Sequence, residues 1–188
     1  MSWENNVRRV VPYVAGEQPK KANVIKLNTN ECPYPPAPEV AAILHQFDYD
    51  SLRKYPDQNV SDLVAALAEY HGLSKQQVFV GVGSDDVLSM AFMTFFNSDK
   101  PILFPDITYS FYDVWAELHR IPYQCQPLDD NFCIVKKDYL IENGGIVLAN
   151  PNAPTGNVTN MSVLEEIIQA NQESVVIMDE AYVDFGGE

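Results

Sequence analysis

Short apolar runs alternate with segments of helical periodicity, and this alternation predicts strands joined by helices. The clearest unit lies between residues 144 and 185. The runs IVLA (146–149) and VVIM (175–178) have the length and composition of fully buried strands. The segment between them carries apolar residues at helical spacing, namely Met161, Leu164, Ile167 and Ile168. We therefore expect a βαβ unit whose two strands are parallel and adjacent.

The same patterns predict further elements along the chain. We expect strands at 24–27, 78–80, 101–104 and 122–127. We expect helices at 39–47, from 61 onward, after residue 86 up to about 96, and up to about 120. Ser61 is predicted to cap the second of these helices. Ser162 with Glu165 matches a capping box in the βαβ unit. The helix that ends near residue 96 is apolar almost all round, so we expect it to be buried.

Polar clusters follow both strands of the βαβ unit. NPNAPTG (150–156) comes after the first strand and DEAY (179–182) after the second. In open α/β sheets the ligand lies beyond the carboxyl ends of the strands, where both clusters fall. A carboxylate directly after a buried strand is costly unless it is paired, so Asp179 is a candidate functional group.

A third polar loop, GVGSDD (81–86), precedes the apolar helix. The free N–H groups and partial positive charge of a helix N-terminus suit a phosphate. The loop alone is a weak indication, because it is not a full GxGxxG and no Walker lysine follows. In the alternative interpretation, Asp85 and Asp86 only complement the helix dipole. A Rossmann-type nucleotide site would also need a ribose-binding acid that the spacing does not provide.

Composition excludes several classes of partner. The net charge of −14 argues against nucleic acid and anionic membranes, and 46% hydrophobic residues indicate a globular protein. Three cysteines, Cys32, Cys125 and Cys133, show no metal-ligand spacing, so we expect reduced thiols, no metal site and a cytoplasmic protein. The polar start predicts no signal peptide, and no apolar run approaches the length of a membrane span.

Five motifs in order carry a family resemblance: LNTNECPYPP (27–36), GSDD (83–86), TYSFY (108–112), NPNAPTG and DEAY. Together they resemble the fold type I aminotransferases that depend on pyridoxal 5′-phosphate (PLP), and most closely the histidinol-phosphate aminotransferase family. The resemblance implies a three-layer αβα fold with a mostly parallel sheet, incomplete at the C-terminus. It implies an N-terminal arm and part of the small domain in 1–50, and an incomplete PLP-binding domain in 51–188. It also implies a homodimer that uses an amino donor and a 2-oxo acid.

The resemblance assigns roles at the cofactor. Gly83, Ser84 and Asp85 would hold the PLP phosphate, and Tyr109 would stack on the pyridine ring, with Tyr112 as the second candidate. Both tyrosines could instead be core aromatics of the following helix. Tyr55 would reach the phosphate of the partner subunit's PLP, although a tyrosine before proline is otherwise an ordinary loop residue.

Further roles concern the ring atoms and the substrate. Asp179 would stabilise the protonated ring nitrogen. The ring oxygen would accept from Tyr182 and from Asn152, with Asn150 next, unless these asparagines only cap a turn. A loop with Asn28, Asn30 and Tyr34 would line the substrate pocket, and its alternative is a structural turn.

The sequence departs from the family in three places. Cys32 stands where the family more often has asparagine. Ala153 stands before Pro-Thr-Gly where many relatives have asparagine. None of the lysines matches the Schiff-base motif, which the family places downstream of DEAY. We therefore expect an N-terminal portion of a PLP aminotransferase that is inactive alone. The alternatives are another fold type I enzyme, such as an aromatic aminotransferase or an O-phospho-amino-acid decarboxylase, and a non-catalytic truncated binding protein.

Overall fold

The structure is a computed structural model that describes residues 3–13, 16–17, 20 and 23–185. The chain divides into two compact units: one contains Met1–Tyr13 and Gly81–Glu188, and the other contains Val14–Val80. Each unit is described by itself. The sequence-based division at residue 50 concerns the domains of the aminotransferase fold and stays a prediction.

Two helices form most of the regular structure in the unit of residues 14–80. They are α1 (Pro38–His45) and α2 (Ser61–His71), with short 3₁₀ turns at Tyr49–Arg53 and Lys75–Gln77. Asp57 precedes α2, and its carboxylate accepts from the main-chain N–H groups of Asn59 at 2.9 Å and Ser61 at 2.8 Å. The prediction that the Ser61 side chain caps α2 is wrong, because Asp57 supplies the acceptor.

The strands predicted at 24–27 and 78–80 are also wrong. Neither segment pairs with another among the described residues. Val78 has extended backbone angles, with φ −116° and ψ 125°. Its β-branched neighbourhood favours an extended chain. A strand additionally requires a hydrogen-bonded neighbour, which these residues lack in the described part of the chain.

A parallel sheet lies at the centre of the larger unit. Its strands are β1 (Ile102–Pro105), β2 (Tyr123–Gln126), β3 (Gly145–Ala149) and β4 (Val176–Asp179). Its helices are α3 (Gly83–Phe95), α4 (Tyr112–His119) and α5 (Met161–Ala170). Short 3₁₀ turns lie at Trp3–Asn6, Lys136–Tyr139 and Val183–Phe185. The order is β2-β1-β3-β4, and every pair is parallel. The predicted βαβ unit is therefore confirmed.

Alternating strand residues feed two hydrophobic cores, one on each face of the sheet. Ile102, Phe104 and Val147 pack with α3 and α4. Leu103, Ile146 and Leu148 pack with α5 and Tyr139 on the opposite face. Successive side chains of a strand point to opposite faces, so β1 and β3 contribute to both cores. This arrangement confirms the three-layer αβα prediction within this unit.

Two burial predictions need correction. β4 is half-buried along its length, so the prediction that both strands of the βαβ unit are fully buried holds only for the core of β3. Helix α3 buries Leu88 and Phe92, while Met93 and Phe95 are more than half exposed. Its apolar residues therefore pack against α4 along one side only, in the part of the chain that the structure describes.

Local caps and close approaches fix the elements around β3. Asn160 caps α5 by accepting from the Ser162 N–H at 2.9 Å, so the predicted capping box of Ser162 and Glu165 is wrong. Gly145 begins β3 with φ +152°, and a Cβ there would lie 2.2 Å from a ring carbon of Phe96. Glycine therefore permits the aromatic ring to pack directly on the strand. Among the described residues, no helix has the length and apolar character needed to cross a bilayer.

Candidate active site

The candidate site lies at the carboxyl ends of the parallel strands. Asp179 is the last residue of β4 and pairs in register with Ala149 of β3. The main-chain N–H of Asn150 donates to the Asp179 carbonyl at 2.9 Å, which joins the starts of both predicted polar clusters. The Ala181 N–H donates to Asp179 Oδ1 at 3.1 Å. The strand register thus places one carboxylate at the edge of the sheet and fixes its backbone.

Tyr112 is hydrogen-bonded to this carboxylate. Its hydroxyl donates to Asp179 Oδ2 at 2.7 Å. Tyr112 is the first residue of α4 and is fully buried. Burial raises the pKa of the Tyr112 phenol, and the negative charge of Asp179 raises it further. The phenol therefore stays protonated at neutral pH and acts as the donor of this pair.

Tyr109 forms a second pair with the first turn of α3. Its hydroxyl donates to Asp85 Oδ1 at 2.7 Å. Burial raises the pKa of the Tyr109 phenol, and the hydrogen bond to Asp85 adds to the effect. The rings of Tyr109 and Tyr112 meet edge to face, with centroids 5.7 Å apart. Asp85, Tyr109, Tyr112 and Asp179 thus form one connected group between α3 and β4.

The start of α3 has the features of an anion site. Gly83 begins the helix with φ +82°, and no side chain caps the helix N-terminus. Asp86 Oδ2 accepts from the Val82 N–H at 3.1 Å, and Asp85 accepts from Tyr109. Both carboxylates are thus engaged with donors of the protein. The N–H groups of Gly83, Ser84 and Asp85 belong to the first turn, which has no intrahelical partners for them.

Asn152 lies at the same edge but is fully engaged. Its Oδ1 accepts from Thr108 Oγ1 at 2.7 Å, while Nδ2 donates to the Ile107 carbonyl at 2.9 Å and to Thr155 Oγ1 at 3.0 Å. These bonds fasten the loop after β3 to the loop after β1. Donation from Asn152 to a ring oxygen would require the bond to Thr155 to break. Asn150 is also engaged, because its Oδ1 accepts from the Thr159 N–H at 2.8 Å.

The remaining predicted residues are placed as follows. Tyr182 is half-buried three residues after Asp179, and no described residue contacts its hydroxyl by a hydrogen bond. Tyr55 and Tyr34, in the other unit, are 99% and 79% exposed. In that same unit, Asn28 Nδ2 donates to the Glu17 carbonyl at 2.9 Å, and Asn30 has φ +50°. The structure therefore brings Asp85, Tyr109 and Asp179 together, with Asn152 on the adjoining loop.

Sequence reasoning missed the contacts that three residues make in this region. Thr108 fastens Asn152, and Tyr112 was assigned to ring stacking or to the core. Tyr13 of the N-terminal segment packs its ring on Phe111, with centroids 4.6 Å apart. Only Tyr112 carried a usable signal: a tyrosine at the start of a buried helix needs a partner for its hydroxyl.

These residues fit the chemistry of PLP. A pyridine nitrogen that must stay protonated needs a carboxylate, and each oxygen of Asp179 can accept a second hydrogen bond beside the one it has. A phosphate needs N–H donors, which the start of α3 supplies. Tyr109 links these two groups, because its hydroxyl donates to Asp85 and its ring meets the ring of Tyr112 at a steep angle.

Comparison with known proteins identifies the family. Residues 22–188 match aminotransferase class I and II. The chain belongs to this family. It is 56% identical over 188 residues to histidinol-phosphate aminotransferase of Lactococcus lactis subsp. cremoris (strain MG1363), covering 100% of this chain and 53% of that protein. This member of the family thus spans about half the length of such relatives.

Solved structures agree on the fold of this aminotransferase family member. The histidinol-phosphate aminotransferase of Sinorhizobium meliloti, in complex with pyridoxal-5′-phosphate, superimposes with a TM-score of 0.74 at 24% identity over 83% of this chain and 44% of that one. The enzyme of Clostridium acetobutylicum gives 0.70 at 24% identity over 79% and 44%. The predicted fold type I architecture is confirmed.

Proposed function

We propose that this protein takes part in the PLP-dependent transamination of L-histidinol phosphate with 2-oxoglutarate, in histidine biosynthesis. The observation that carries the proposal is the connected group of Asp85, Tyr109, Tyr112 and Asp179 at the carboxyl edge of the sheet. The 56% identity with a histidinol-phosphate aminotransferase along the whole chain supports the substrate.

The roles of the protein groups follow from their chemistry. Asp179 accepts a hydrogen bond from the ring nitrogen of PLP and keeps that nitrogen protonated. When bound, PLP supplies an electron sink for the substrate carbon that loses a proton. The first-turn N–H groups of Gly83, Ser84 and Asp85 donate to the phosphate. Tyr109 offers its ring face to the pyridine, a stacking worth on the order of 1 kcal/mol beyond burial.

The ring oxygen of PLP needs a hydrogen-bond donor. The half-buried hydroxyl of Tyr182 is available among the described residues, whereas both N–H groups of Asn152 already donate within the protein. We keep both residues in the proposal, with Asn152 acting only after its bond to Thr155 is released. Asn28, Asn30 and Tyr34 remain the proposed substrate-pocket residues.

The proposal includes a homodimer in which Tyr55 reaches the PLP phosphate of the partner subunit. The nearly complete exposure of the Tyr55 side chain agrees with a role outside its own unit. The proposal also keeps the assignment of 1–50 to the arm and small domain and of 51–188 to the PLP-binding domain. The relatives are nearly twice as long, so the assays need the protein as its own gene encodes it, after its intact mass has been measured.

The decisive assay follows glutamate formation from L-histidinol phosphate and 2-oxoglutarate. Asp179→Ala should lower turnover on the order of 100-fold or more while PLP still attaches, because the charge partner of the ring nitrogen is lost. Asp130→Ala removes an exposed carboxylate for which the structure shows no side-chain bond, and it should keep normal turnover.

Two results would contradict the proposal. Turnover of an aromatic amino acid in place of histidinol phosphate, or decarboxylation of an O-phospho-amino acid, would move the protein elsewhere among PLP enzymes. Unchanged turnover in Asp179→Ala would refute the role of Asp179.

A further inference from the structure

We propose that Tyr112 is a positioning residue that holds the Asp179 carboxylate toward the ring nitrogen of PLP. The inference rests on the proposed function, because it concerns the partner of that nitrogen. It replaces the stacking role that the sequence allowed for Tyr112. The ring of Tyr112 is fully enclosed in the core, so it has no face to offer a ligand.

Beyond the hydrogen bonds within the strand ladder, three bonds hold Asp179 in the described part of the chain, and one of them comes from a side chain. The Asn150 N–H holds the Asp179 carbonyl at 2.9 Å, and the Ala181 N–H meets Oδ1 at 3.1 Å. The Tyr112 hydroxyl meets Oδ2 at 2.7 Å, the shortest of the three. The two main-chain donors, Asn150 and Ala181, lie just after the ends of β3 and β4. The bond from Tyr112 is therefore the one that ties the carboxylate to a different layer of the fold.

Tyr112 is well suited to set this position because its ring is fully buried and packed on several sides. Its ring packs against Phe92 and Phe104, with centroid distances of 6.2 and 5.8 Å, and against Tyr109 at 5.7 Å. It sits at the first position of α4, where the helix backbone fixes its Cα. Groups that orient a reacting side chain must themselves be locked by packing.

The bond also acts on charge. A hydrogen bond donated to a carboxylate favours its charged form, and charge-assisted bonds are stronger than neutral ones. The bond from Tyr112 thus stabilises the negative charge that would face the ring nitrogen of PLP. Orientation and charge thus act in the same direction.

The test replaces the hydroxyl and observes the ring nitrogen directly. Tyr112→Phe removes one oxygen and keeps the ring. Tyr139→Phe is the matched control, because the Tyr139 hydroxyl is buried without a partner among the described residues. Each protein, encoded at its natural length, is loaded with PLP labelled with ¹⁵N in the ring. We expect the ¹⁵N resonance of Tyr112→Phe to move toward the unprotonated position and PLP affinity to fall about tenfold.

The outcomes separate this inference from the proposed function. If the natural protein does not bind PLP, the proposed function fails first. If it binds PLP and Tyr112→Phe leaves the ¹⁵N resonance in place, the positioning role is overturned while the function stands. A resonance that moves equally in Tyr139→Phe would also overturn it, because the effect would then be one of general packing.

A second variant guards against misfolding of Tyr112→Phe. Tyr112→fluorotyrosine keeps the hydroxyl and makes it a stronger donor. The ¹⁵N resonance should then move further toward the protonated position. No movement, or movement in the opposite direction, would contradict the proposal.

Discussion

The hydroxyl of Tyr109 and Oδ1 of Asp85 are 2.7 Å apart, which joins the loop after β1 to the first turn of α3. The bond holds the Asp85 carboxylate against the Tyr109 hydroxyl, so Oδ1 does not accept from the free N–H groups of the helix. A negative side chain at a helix N-terminus otherwise competes with an anionic ligand for those donors. The pair therefore keeps the proposed phosphate site open.

Tyr109→Phe tests this pair, since it keeps the aromatic ring and removes the donor. The freed Asp85 carboxylate should then repel the phosphate, and the affinity for PLP should fall by about three- to tenfold. Fluorescence titration with PLP measures the change. Tyr123→Phe is the control, because its hydroxyl bonds Glu117 at 3.3 Å on the exposed side of β2 and α4. Equal affinities in both variants would contradict the prediction.

Alkaline pH should destabilise the protein through its buried phenols. Burial raises the pKa of Tyr112 and of Tyr139 above the ordinary value. Unfolded phenols ionise near pH 10, so the free energy of unfolding should hold below that pH and fall above it, by up to about 1.4 kcal/mol per pH unit for each tyrosine. Urea unfolding between pH 9 and about 11 checks this. A Tyr139→Phe variant with the parent slope would contradict it.

A buried pair of asparagines should contribute strongly to stability. Asn171 Nδ2 donates to the carbonyls of Ile167 at 2.7 Å and Tyr139 at 2.9 Å, and its Oδ1 accepts from Asn143 Nδ2 at 2.7 Å. Asn171→Ala would leave these buried groups without partners and should cost about 2–3 kcal/mol. Urea unfolding measures the loss. Asn131→Ala, at an exposed asparagine, should change stability by less than about 0.5 kcal/mol.

Gly145 should tolerate no side chain. In Gly145→Ala the new Cβ would lie 2.2 Å from the Phe96 ring, so the strand or the ring must move, at a cost on the order of 3 kcal/mol. Gly72→Ala is the control, because Gly72 has φ +66° with open space around it and should cost only about 1 kcal/mol. Thermal unfolding compares the two. Similar losses would show that backbone strain, and not the aromatic contact, governs Gly145.

The sequence predicts β1 and β3 well because the apolar side chains of these two strands are almost all buried. The predicted run at 146–149 begins one residue after β3 begins and ends with it. The predicted run at 101–104 begins and ends one residue before β1 does. The run at 78–80 is equally apolar but has no neighbouring strand among the described residues. Pairing is a tertiary property, and no local pattern in residues 78–80 reveals whether a partner strand lies beside them.

The site was predictable in its position and less so in its contacts. Parallel strands bring their carboxyl ends together, so Asp179 and the 150–156 loop fall at one edge as the pattern indicates. The sequence could not show that the amide nitrogen of Asn152 donates its hydrogen bonds to Ile107 and Thr155. Nor could the sequence show which of the two tyrosines, Tyr109 or Tyr112, is buried in the core. That difference depends on where α4 begins, since its first residue turns into the core.

The order β2-β1-β3-β4 has a consequence for how quickly the protein acquires its structure. Every neighbouring pair in this sheet joins segments that are distant along the chain, with at least one helix or long loop between them. Closing such loops costs conformational entropy of the chain before the strand contacts stabilise the structure. Parallel sheets of this kind therefore fold slowly. The bond between Tyr112 and Asp179 is one of these distant contacts, because the two residues are 67 positions apart along the chain. The cost of closing long loops therefore falls on the same group of residues that is proposed to hold the cofactor.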